Sequence, residues 1–210
     1  MLEQQPKHER VSRARNALRW SAVTGASVAL LAMMVIKWPT LSERAARWTS
    51  TASSVCELKS GFSPEGSAAV LVDDVIDQAH SRVQVAAYTF TSPDVVRRLI
   101  AAKERGVDVA VIADATENKP GARMGPSALA QLVEAGIAVR TISLYAIHHD
   151  KYIIADGETV QTGSFNYSLS AARRNSENVI VIASCPAIGR SYETHWQSRW
   201  EQGVPYKPVR

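Results

Sequence analysis

Four side chains able to hold a phosphate occur at matched spacings in the second half of this 210-residue chain. His149 and Lys151 are two residues apart, and Ser164 and Asn166 repeat that spacing beyond an Asp-Gly pair at 156–157, a typical hairpin turn. Because alternate residues of a strand share a face, a hairpin could bring both pairs to one place. An imidazole, an ammonium, a hydroxyl and an amide would then converge. Such a cluster suits an oxyanion with several oxygens, such as a phosphate.

The spacing of these residues resembles the signature of the phospholipase D superfamily. His149, Lys151 and Asp156 form H-x-K-x-x-x-x-D, and residues 163–166 give the G-S-x-N that follows. Several flanking blocks look like the small bacterial Nuc-type endonucleases, namely 62–66, 88–93, 101–109, 175–178 and 195–197. The resemblance covers most of residues 55–210 and none of residues 1–54.

This resemblance implies a catalytic role for each residue of the signature. His149 would attack phosphorus and form a phosphohistidine, while a second histidine protonates the leaving oxygen and then activates water. Lys151, Ser164 and Asn166 would stabilise the charge on the non-bridging oxygens. Glu177 matches the carboxylate that orients a catalytic imidazole.

The chemistry requires two such histidines, whereas the chain carries one copy of the motif. Neither His80 nor His195 is followed by a lysine two residues later. We therefore expect a homodimer whose subunits share one active centre, as the resemblance implies for single-motif members. His148 is expected to be a neighbour of the site, and His195 to pack within a helix. Asp156 lies at the turn, opposite in parity to His149, and is expected to be structural.

No cofactor or metal is expected from the sequence. It contains neither an HExxH zinc motif nor a GxxxxGK[ST] phosphate-binding loop. Lys151 and the imidazoles would supply the positive charge that a magnesium ion otherwise provides. Arg173 and Arg174 could touch a nucleic-acid backbone, but a solvated helix face is the better interpretation of their position.

Strand and helix patterns that could position these residues alternate from Val55 onward. Ser92 is a good cap and Pro93 a good first residue for one helix, which Gly106 should end. The predicted helices are 67–79, 93–105, a segment ending at 136, and 187–200; the predicted strands are 83–90, 107–113, 137–142, two arms within 149–163, and 179–183; 61–66 and 118–126 are predicted turns or loops. This order predicts an α/β fold with a central, mostly parallel (mixed) sheet flanked by helices, like that of phospholipase D.

A stretch of 17 residues without charge, 20–36, precedes this domain, and Trp20 and Trp38 flank its most apolar part, 28–36. Basic residues before it favour a cytoplasmic N-terminus. We predict a basic cytoplasmic segment at 1–19, a transmembrane signal-anchor at 20–38, a linker at 39–54 and a phospholipase D-like nuclease domain at 55–210. A cleaved signal peptide and a buried soluble helix are the alternatives. The catalytic domain would lie in the periplasm, held at a bacterial inner membrane or released if the segment is cleaved.

Positive charge is concentrated at the N-terminus. Residues 1–48 carry eight Lys or Arg against three Asp or Glu, whereas the other 162 carry 16 against 17. The predicted domain must therefore bind a polyanion, if it does so, through a local basic site. Cys56 and Cys185 are too few for a CxxC zinc site. A disulfide in an oxidising compartment and two unpaired thiols both remain open.

The function predicted from these observations is that of a metal-independent phosphodiesterase. We expect an endonuclease with little sequence preference that hydrolyses DNA, with RNA as a further substrate. One alternative is a hydrolase of phospholipid head groups or cardiolipin, which the membrane segment favours and the lack of room for long insertions disfavours. The other is a catalytically silent DNA-binding protein, against which the intact set of site residues speaks.

Overall fold

A computed structural model describes residues 55–119 and 127–208 of the chain. The predicted cytoplasmic, transmembrane and linker segments at 1–54 lie outside these residues, as does most of the predicted loop at 118–126. Within the described ranges no helix is long and apolar enough to cross a membrane.

One eight-stranded sheet organises the described residues, in the order β1-β7-β6-β5-β2-β3-β4-β8. The strands are β1 (Glu57–Ser63), β2 (Arg82–Ala87), β3 (Asp108–Asp114), β4 (Ala138–Ile142), β5 (Lys151–Ala155), β6 (Thr159–Gly163), β7 (Glu177–Ala183) and β8 (Val204–Pro205). Only the β2–β3 and β3–β4 pairings are parallel, and the other five are antiparallel. The α/β class and the central mixed sheet flanked by helices are confirmed, but the prediction of a mostly parallel sheet is wrong.

The lengths of the connections explain this difference. Parallel neighbours need a long crossover, and β2, β3 and β4 are joined by helical crossovers. A tight turn joins β5 to β6, so that pair has to be antiparallel. β5 also runs antiparallel to β2, which places the hairpin in the middle of the sheet rather than at its edge.

In the described part of the chain, five helices cover the two faces of the sheet. They are α1 (Ser67–Asp77), α2 (Pro93–Glu104), α3 (Ala128–Glu134), α4 (Leu169–Arg173) and α5 (Pro186–Gln202). The start of α2 is as predicted, since the Ser92 side chain accepts a hydrogen bond from the Val95 N–H and Pro93 is the first residue. Residues of α1, α2 and α3 fill the larger core cluster, while Trp196 of α5 belongs to a second cluster on the opposite face.

Three elements were not predicted. β1 extends through Gly61 to Ser63, where the sequence indicated a turn, and only Gly61 and Ser63 of this strand are buried. Because β1 is an edge strand with most of its residues exposed, it lacks the alternation that identifies a half-buried strand. α4 has five residues and β8 has two, which is too short for a periodic pattern.

Two contacts fix α5 against the sheet. A Cβ added to Gly189 would lie 1.9 Å from the carbonyl oxygen of Gly157, so the helix rests directly on the β5–β6 turn. Cys185, the N-cap residue of α5, forms a disulfide with Cys56, with the two Cα atoms 5.0 Å apart. Of the two states that the sequence left open for these cysteines, the structure contains the disulfide.

Candidate active site

The predicted site residues lie at one end of the strands, where β1, β2 and β6 end and β5 and β7 begin. Lys151 starts β5 opposite Ala87, the last residue of β2. Glu177 starts β7 opposite Ser63, the last residue of β1. Ser164 directly follows β6. The fold therefore places the two halves of the signature at the same end of the strands.

His149 and Lys151 meet on the ring of Tyr88 rather than on a shared strand face. The sequence placed His149 on the strand, but β5 begins at Lys151, so the alternation argument does not apply to His149. Instead, the His149 ring packs edge-on against Tyr88 with centroids 4.7 Å apart, and Lys151 Nζ lies 5.3 Å from the Tyr88 centroid. Lys151 Nζ also donates a hydrogen bond to the His149 carbonyl oxygen at 2.9 Å. Tyr88, which directly follows β2, is thus a site residue that sequence reasoning missed.

Glu177 links the lysine to the second half of the signature. Burial lowers the pKa of Lys151, while the nearby carboxylates of Glu177 and Asp150 act in the opposite direction and favour the ammonium form. Glu177 accepts hydrogen bonds from Ser164 Oγ at 2.6 Å and from Asn175 Nδ2 at 2.9 Å. Within the described residues its hydrogen bonds go to these side chains and not to an imidazole. Its predicted orienting role would therefore need a histidine from a second chain.

Backbone geometry places Ser164 beside β7. Gly163 has φ +152°, and a Cβ there would lie 2.2 Å from the carbonyl oxygen of Asn178, so only glycine fits before Ser164. The Asn178 N–H in turn donates to Ser164 Oγ at 3.0 Å. Asn166 has its Oδ1 buried and, in the described part of the chain, without a hydrogen-bond partner. The fold thus does not use the carbonyl side of this amide.

The two adjacent histidines have different environments. His148 is 3% exposed. Its backbone N–H donates to Asp114 Oδ2 at 2.8 Å, and its ring Nδ1 lies 3.5 Å from Asp150 Oδ2. Burial lowers the pKa of His148 in spite of these carboxylates, which favours the neutral ring. His149 is exposed. Of these two histidines only His149 is therefore placed to reach a substrate without a change in the fold, and its role as the nucleophile stays a prediction.

Asp114 and Asn118 hold the segments that carry Tyr88 and the histidines, and neither was predicted. The Asp114 carboxylate ends β3 and binds the His148 N–H, and its other oxygen accepts the N–H groups of the next turn. Asn118 Nδ2 donates to the carbonyl oxygens of Tyr88 at 2.6 Å and of Asp114 at 2.9 Å. A carboxylate and an amide after a parallel strand were the available signal, because strand ends commonly carry site residues.

His195 is more than a packing residue of α5. Its Nε2 is hydrogen-bonded to Asp150 Oδ2 at 2.9 Å, and its side chain is 41% exposed. Together with His149 it lines a cavity of about 430 Å³. The packing role belongs to Trp196, which is 3% exposed and donates from Nε1 to the Val85 carbonyl oxygen at 3.0 Å.

Asp156 lies in the β5–β6 turn, at the opposite end of the strands from the site. Its carboxylate accepts hydrogen bonds from the N–H groups of His80, Ser81 and Arg82 and from Ser81 Oγ, at 2.7 to 2.9 Å. Burial by itself raises the pKa of this carboxyl, but the backbone hydrogen bonds outweigh it and lower the pKa to about 2. In this geometry Asp156 ties the hairpin turn to the chain that enters β2.

We expect Asp156→Ala to lower the free energy of unfolding by about 3 kcal/mol, because three backbone donors lose their acceptor. Asp156→Asn is the matched control: it keeps an acceptor oxygen and tolerates the observed φ of 55°, so it should lose less. Since the folded pKa is depressed below the usual 3.8, the contribution is complete above pH 4 and is lost as the pH falls towards 2. Urea unfolding at pH 7 and pH 3 measures both effects. Equal stability of the alanine variant at pH 7 would contradict the structural role.

The described residues contain no group of three or more His, Cys, Asp or Glu side chains arranged to hold a metal ion. Arg173 and Arg174 are exposed around the end of α4, and Arg174 is hydrogen-bonded to Ser170 Oγ. This position agrees with a solvated helix face.

Comparison with known proteins identifies the family. The sequence profile described as "Cardiolipin synthase, PLD-like domain" matches residues 72–200, which is more than half of the chain. A phospholipase D of Rickettsia bellii is 36% identical over 138 residues, and a mitochondrial cardiolipin hydrolase of Xenopus laevis is 34% identical over 128 residues. These matches cover 66% and 60% of this chain, but 66% and 58% of the two relatives, so the chain spans slightly less than two thirds of their length.

A solved structure gives a fuller match. The phospholipase D family member Nuc of Salmonella typhimurium superposes with a TM-score of 0.67 at 44% sequence identity. The match covers 72% of this chain and 99% of Nuc. The chain therefore belongs to the phospholipase D superfamily of phosphodiesterases, as a member with the Nuc-type fold.

Proposed function

We propose that this protein is an endonuclease that hydrolyses DNA, and RNA as a further substrate, without a metal ion. The observation that carries the proposal is that His149, Lys151, Ser164 and Glu177 lie at the same end of the strands. There the exposed His149 lies beside the buried Lys151. The 44% identity to Nuc over nearly all of that protein supports a nuclease rather than another phosphodiesterase. The intact site speaks against a catalytically silent DNA-binding protein.

In the proposed reaction the imidazole of His149 attacks phosphorus, and the bond from phosphorus to the leaving oxygen breaks. The partner subunit's His149 gives its proton to that oxygen, so one strand end leaves as an alcohol. The phosphohistidine that remains is attacked by water, which gives its proton to the same histidine of the partner. Cleavage of the phosphorus–nitrogen bond then restores both imidazoles and releases the phosphate monoester.

Lys151, Ser164 and Asn166 would stabilise the negative charge that develops on the non-bridging oxygens. Lys151 is suited to this role because it is only 7% exposed, and a charge acts more strongly where water is excluded. Glu177 holds Ser164 in place in this chain and would orient the partner subunit's His149 across the shared centre.

The exposed apolar residues at the site edge support a homodimer. Phe62, Leu144, Ile147 and Leu169 are 48% to 67% exposed, and they lie near the end of β1, in the segment before His149 and at the start of α4. Exposed apolar groups at one edge are typical of a surface that another protein covers. A second copy is the occupant we propose, since the single motif leaves the chemistry one histidine short.

Subunit mixing tests the shared centre. Wild-type protein equilibrated with a tenfold excess of His149→Ala protein should lose about nine tenths of its activity, because most wild-type subunits then pair with an inactive partner. The same excess added just before the assay, without time for exchange, is the control. Undiminished activity after exchange, verified with labelled subunits, would show that each chain works alone.

Digestion in chelator tests the reaction itself. The purified full-length chain in detergent is incubated with plasmid and single-stranded DNA in excess EDTA, beside the His149→Ala variant. We expect degradation by the wild type only, since the proposed site uses a lysine in place of a metal. Activity that EDTA abolishes and Mg²⁺ restores would overturn the mechanism.

A lipid phosphodiesterase is the second candidate, because the two curated relatives carry the names phospholipase D and mitochondrial cardiolipin hydrolase. If DNA and RNA remain intact, the same pair of proteins on cardiolipin-containing vesicles tests this alternative.

We further propose that the domain is exported across a bacterial inner membrane and held there by residues 20–38, or released if that segment is cleaved. The Cys56–Cys185 disulfide supports export, since such bonds persist in oxidising compartments.

A further inference from the structure

A cavity of about 430 Å³ opens beside His149, between the start of β5, the end of β6 and one side of α5. Its walls include His149, Lys151, Thr162, Ser191, Tyr192 and His195. Because His149 lines it, whatever occupies this cavity lies next to the phosphorus that His149 attacks. The cavity is therefore placed to bind the part of the substrate adjoining the scissile phosphate.

Apart from Lys151, the lining of the cavity is polar but offers little positive charge. His195 Nε2 is hydrogen-bonded to Asp150 Oδ2 at 2.9 Å, so the carboxylate already has a partner within the chain. Thr162 and Ser191 add hydroxyl groups to the lining. Thr162 Oγ1 donates to the Lys151 carbonyl oxygen at 3.3 Å, so it can still accept a hydrogen bond from a ligand. Lys151 also lines the cavity, but the proposed reaction uses it on the scissile phosphate. A second phosphate would need a further cationic donor, whereas sugar hydroxyls and ring oxygens are matched by this set of donors and acceptors.

Two partly exposed rings complete the α5 wall. Tyr192 packs edge-on against Tyr152 with centroids 4.9 Å apart, and the His195 centroid lies 6.0 Å from that of Tyr152. Partly exposed aromatic rings are the usual platforms for nucleic-acid bases. The Tyr152 hydroxyl behind them is buried and has no partner within 55–119 and 127–208. Burial raises the pKa of Tyr152 far above its usual value, so this hydroxyl is a donor.

We propose that this cavity is a subsite for the nucleoside flanking the scissile phosphate, with His195, Ser191 and Thr162 on the sugar and Tyr192 against the base. The volume is within the range of small-molecule sites and suits one nucleoside. The polar walls do not suit the acyl chains of a lipid. This inference rests on the proposed nuclease function and names the unit of the substrate that the enzyme recognises.

Three synthetic diesters test the subsite with full-length protein. Thymidine 5′-(4-nitrophenyl phosphate) and its 3′ isomer each place a nucleoside on one side of phosphorus, and methyl 4-nitrophenyl phosphate has none. The wild type should prefer at least one thymidine diester. His195→Ala should lower kcat/KM for that diester about tenfold, through loss of a hydrogen bond to the sugar, and change kcat/KM for the methyl diester less than twofold.

Ser191→Trp is the independent variant, because it fills the cavity from an exposed rim position and should mimic the loss on thymidine diesters only. Gln197→Ala is the matched control, an exposed position on the same helix whose side chain bonds Glu201. Equal losses on all three diesters would make His195 a positioning residue for the site and overturn the subsite, as would no loss on any. The nuclease proposal fails separately, if the wild type hydrolyses the methyl diester but leaves DNA intact.

Discussion

Replacement of His149 with alanine is expected to reduce turnover by about 10⁴-fold or more, because in a shared centre it removes both the nucleophile and the acid. The side chain is exposed, so the free energy of unfolding should change by less than about 0.5 kcal/mol. Single-turnover hydrolysis of labelled DNA and thermal unfolding of the same preparation measure the two quantities together.

His148→Ala is the matched comparison, since the two histidines are adjacent. His148 is buried and its ring lies close to Asp150, so we expect a loss of about 1 to 3 kcal/mol of stability with turnover within about tenfold of the wild type. If His148→Ala were inactive and His149→Ala active, the assignment of the nucleophile would have to be reversed.

Removal of the Cys56–Cys185 disulfide is expected to lower the free energy of unfolding by about 5 kcal/mol. The bond closes a loop with a sequence separation of 129 residues, and the loss of loop entropy in the unfolded chain grows with loop length. For a domain of this size the change corresponds to a fall in Tm of about 10 to 20 °C. Calorimetry of the Cys56→Ser, Cys185→Ala double variant checks this value.

Activity separates this effect from damage to the site. Cys185 follows the end of β7 that is far from Glu177 and the site, so the folded double variant should keep the wild-type kcat/KM at 25 °C. Reductant should lower the Tm of the wild type and leave that of the double variant unchanged. If the double variant had the same Tm as the oxidised wild type, the closed loop would contribute nothing to stability.

Features that depend on neighbouring residues could be predicted from the sequence. The Ser92 cap with Pro93 after it starts α2, and Gly106, with φ +92°, follows its end, as the pattern indicated. The Asp-Gly pair at 156–157 forms the turn between β5 and β6. Each of these signals is contained in a few consecutive residues, so tertiary context does not need to be known.

The order of strands in the sheet depends on contacts between distant residues, and the sequence analysis did not reach it. The insertion of β5 beside β2 rests on pairs such as Ala87 with Lys151, and nothing near either residue specifies that pairing. The mostly parallel prediction failed for the same reason, because it extended the β2–β3–β4 arrangement to the rest of the chain. Edge strand β1 was missed because its outward residues show no alternation.

The candidate site divides in the same way. The signature residues could be named because a spacing of two and a hairpin turn are local features. Tyr88, Asp114 and His195 come from three other elements and meet the signature only through the fold. His195 was interpreted as packing because Trp196 and Trp200 follow it in the sequence, whereas in the structure Trp196 is buried in the core and His195 is hydrogen-bonded to Asp150.

The crosslink between Cys56 and Cys185 also has a mechanical consequence. If the N-terminal segment tethers the protein to a membrane, any tension enters the described domain at Val55, directly before edge strand β1. Without the crosslink, that tension would be carried first by the hydrogen bonds between β1 and β7, which can separate pair by pair. The sulfur–sulfur bond passes it instead to the start of α5, the longest helix described. Under such a pull the folded domain would keep β1 in place.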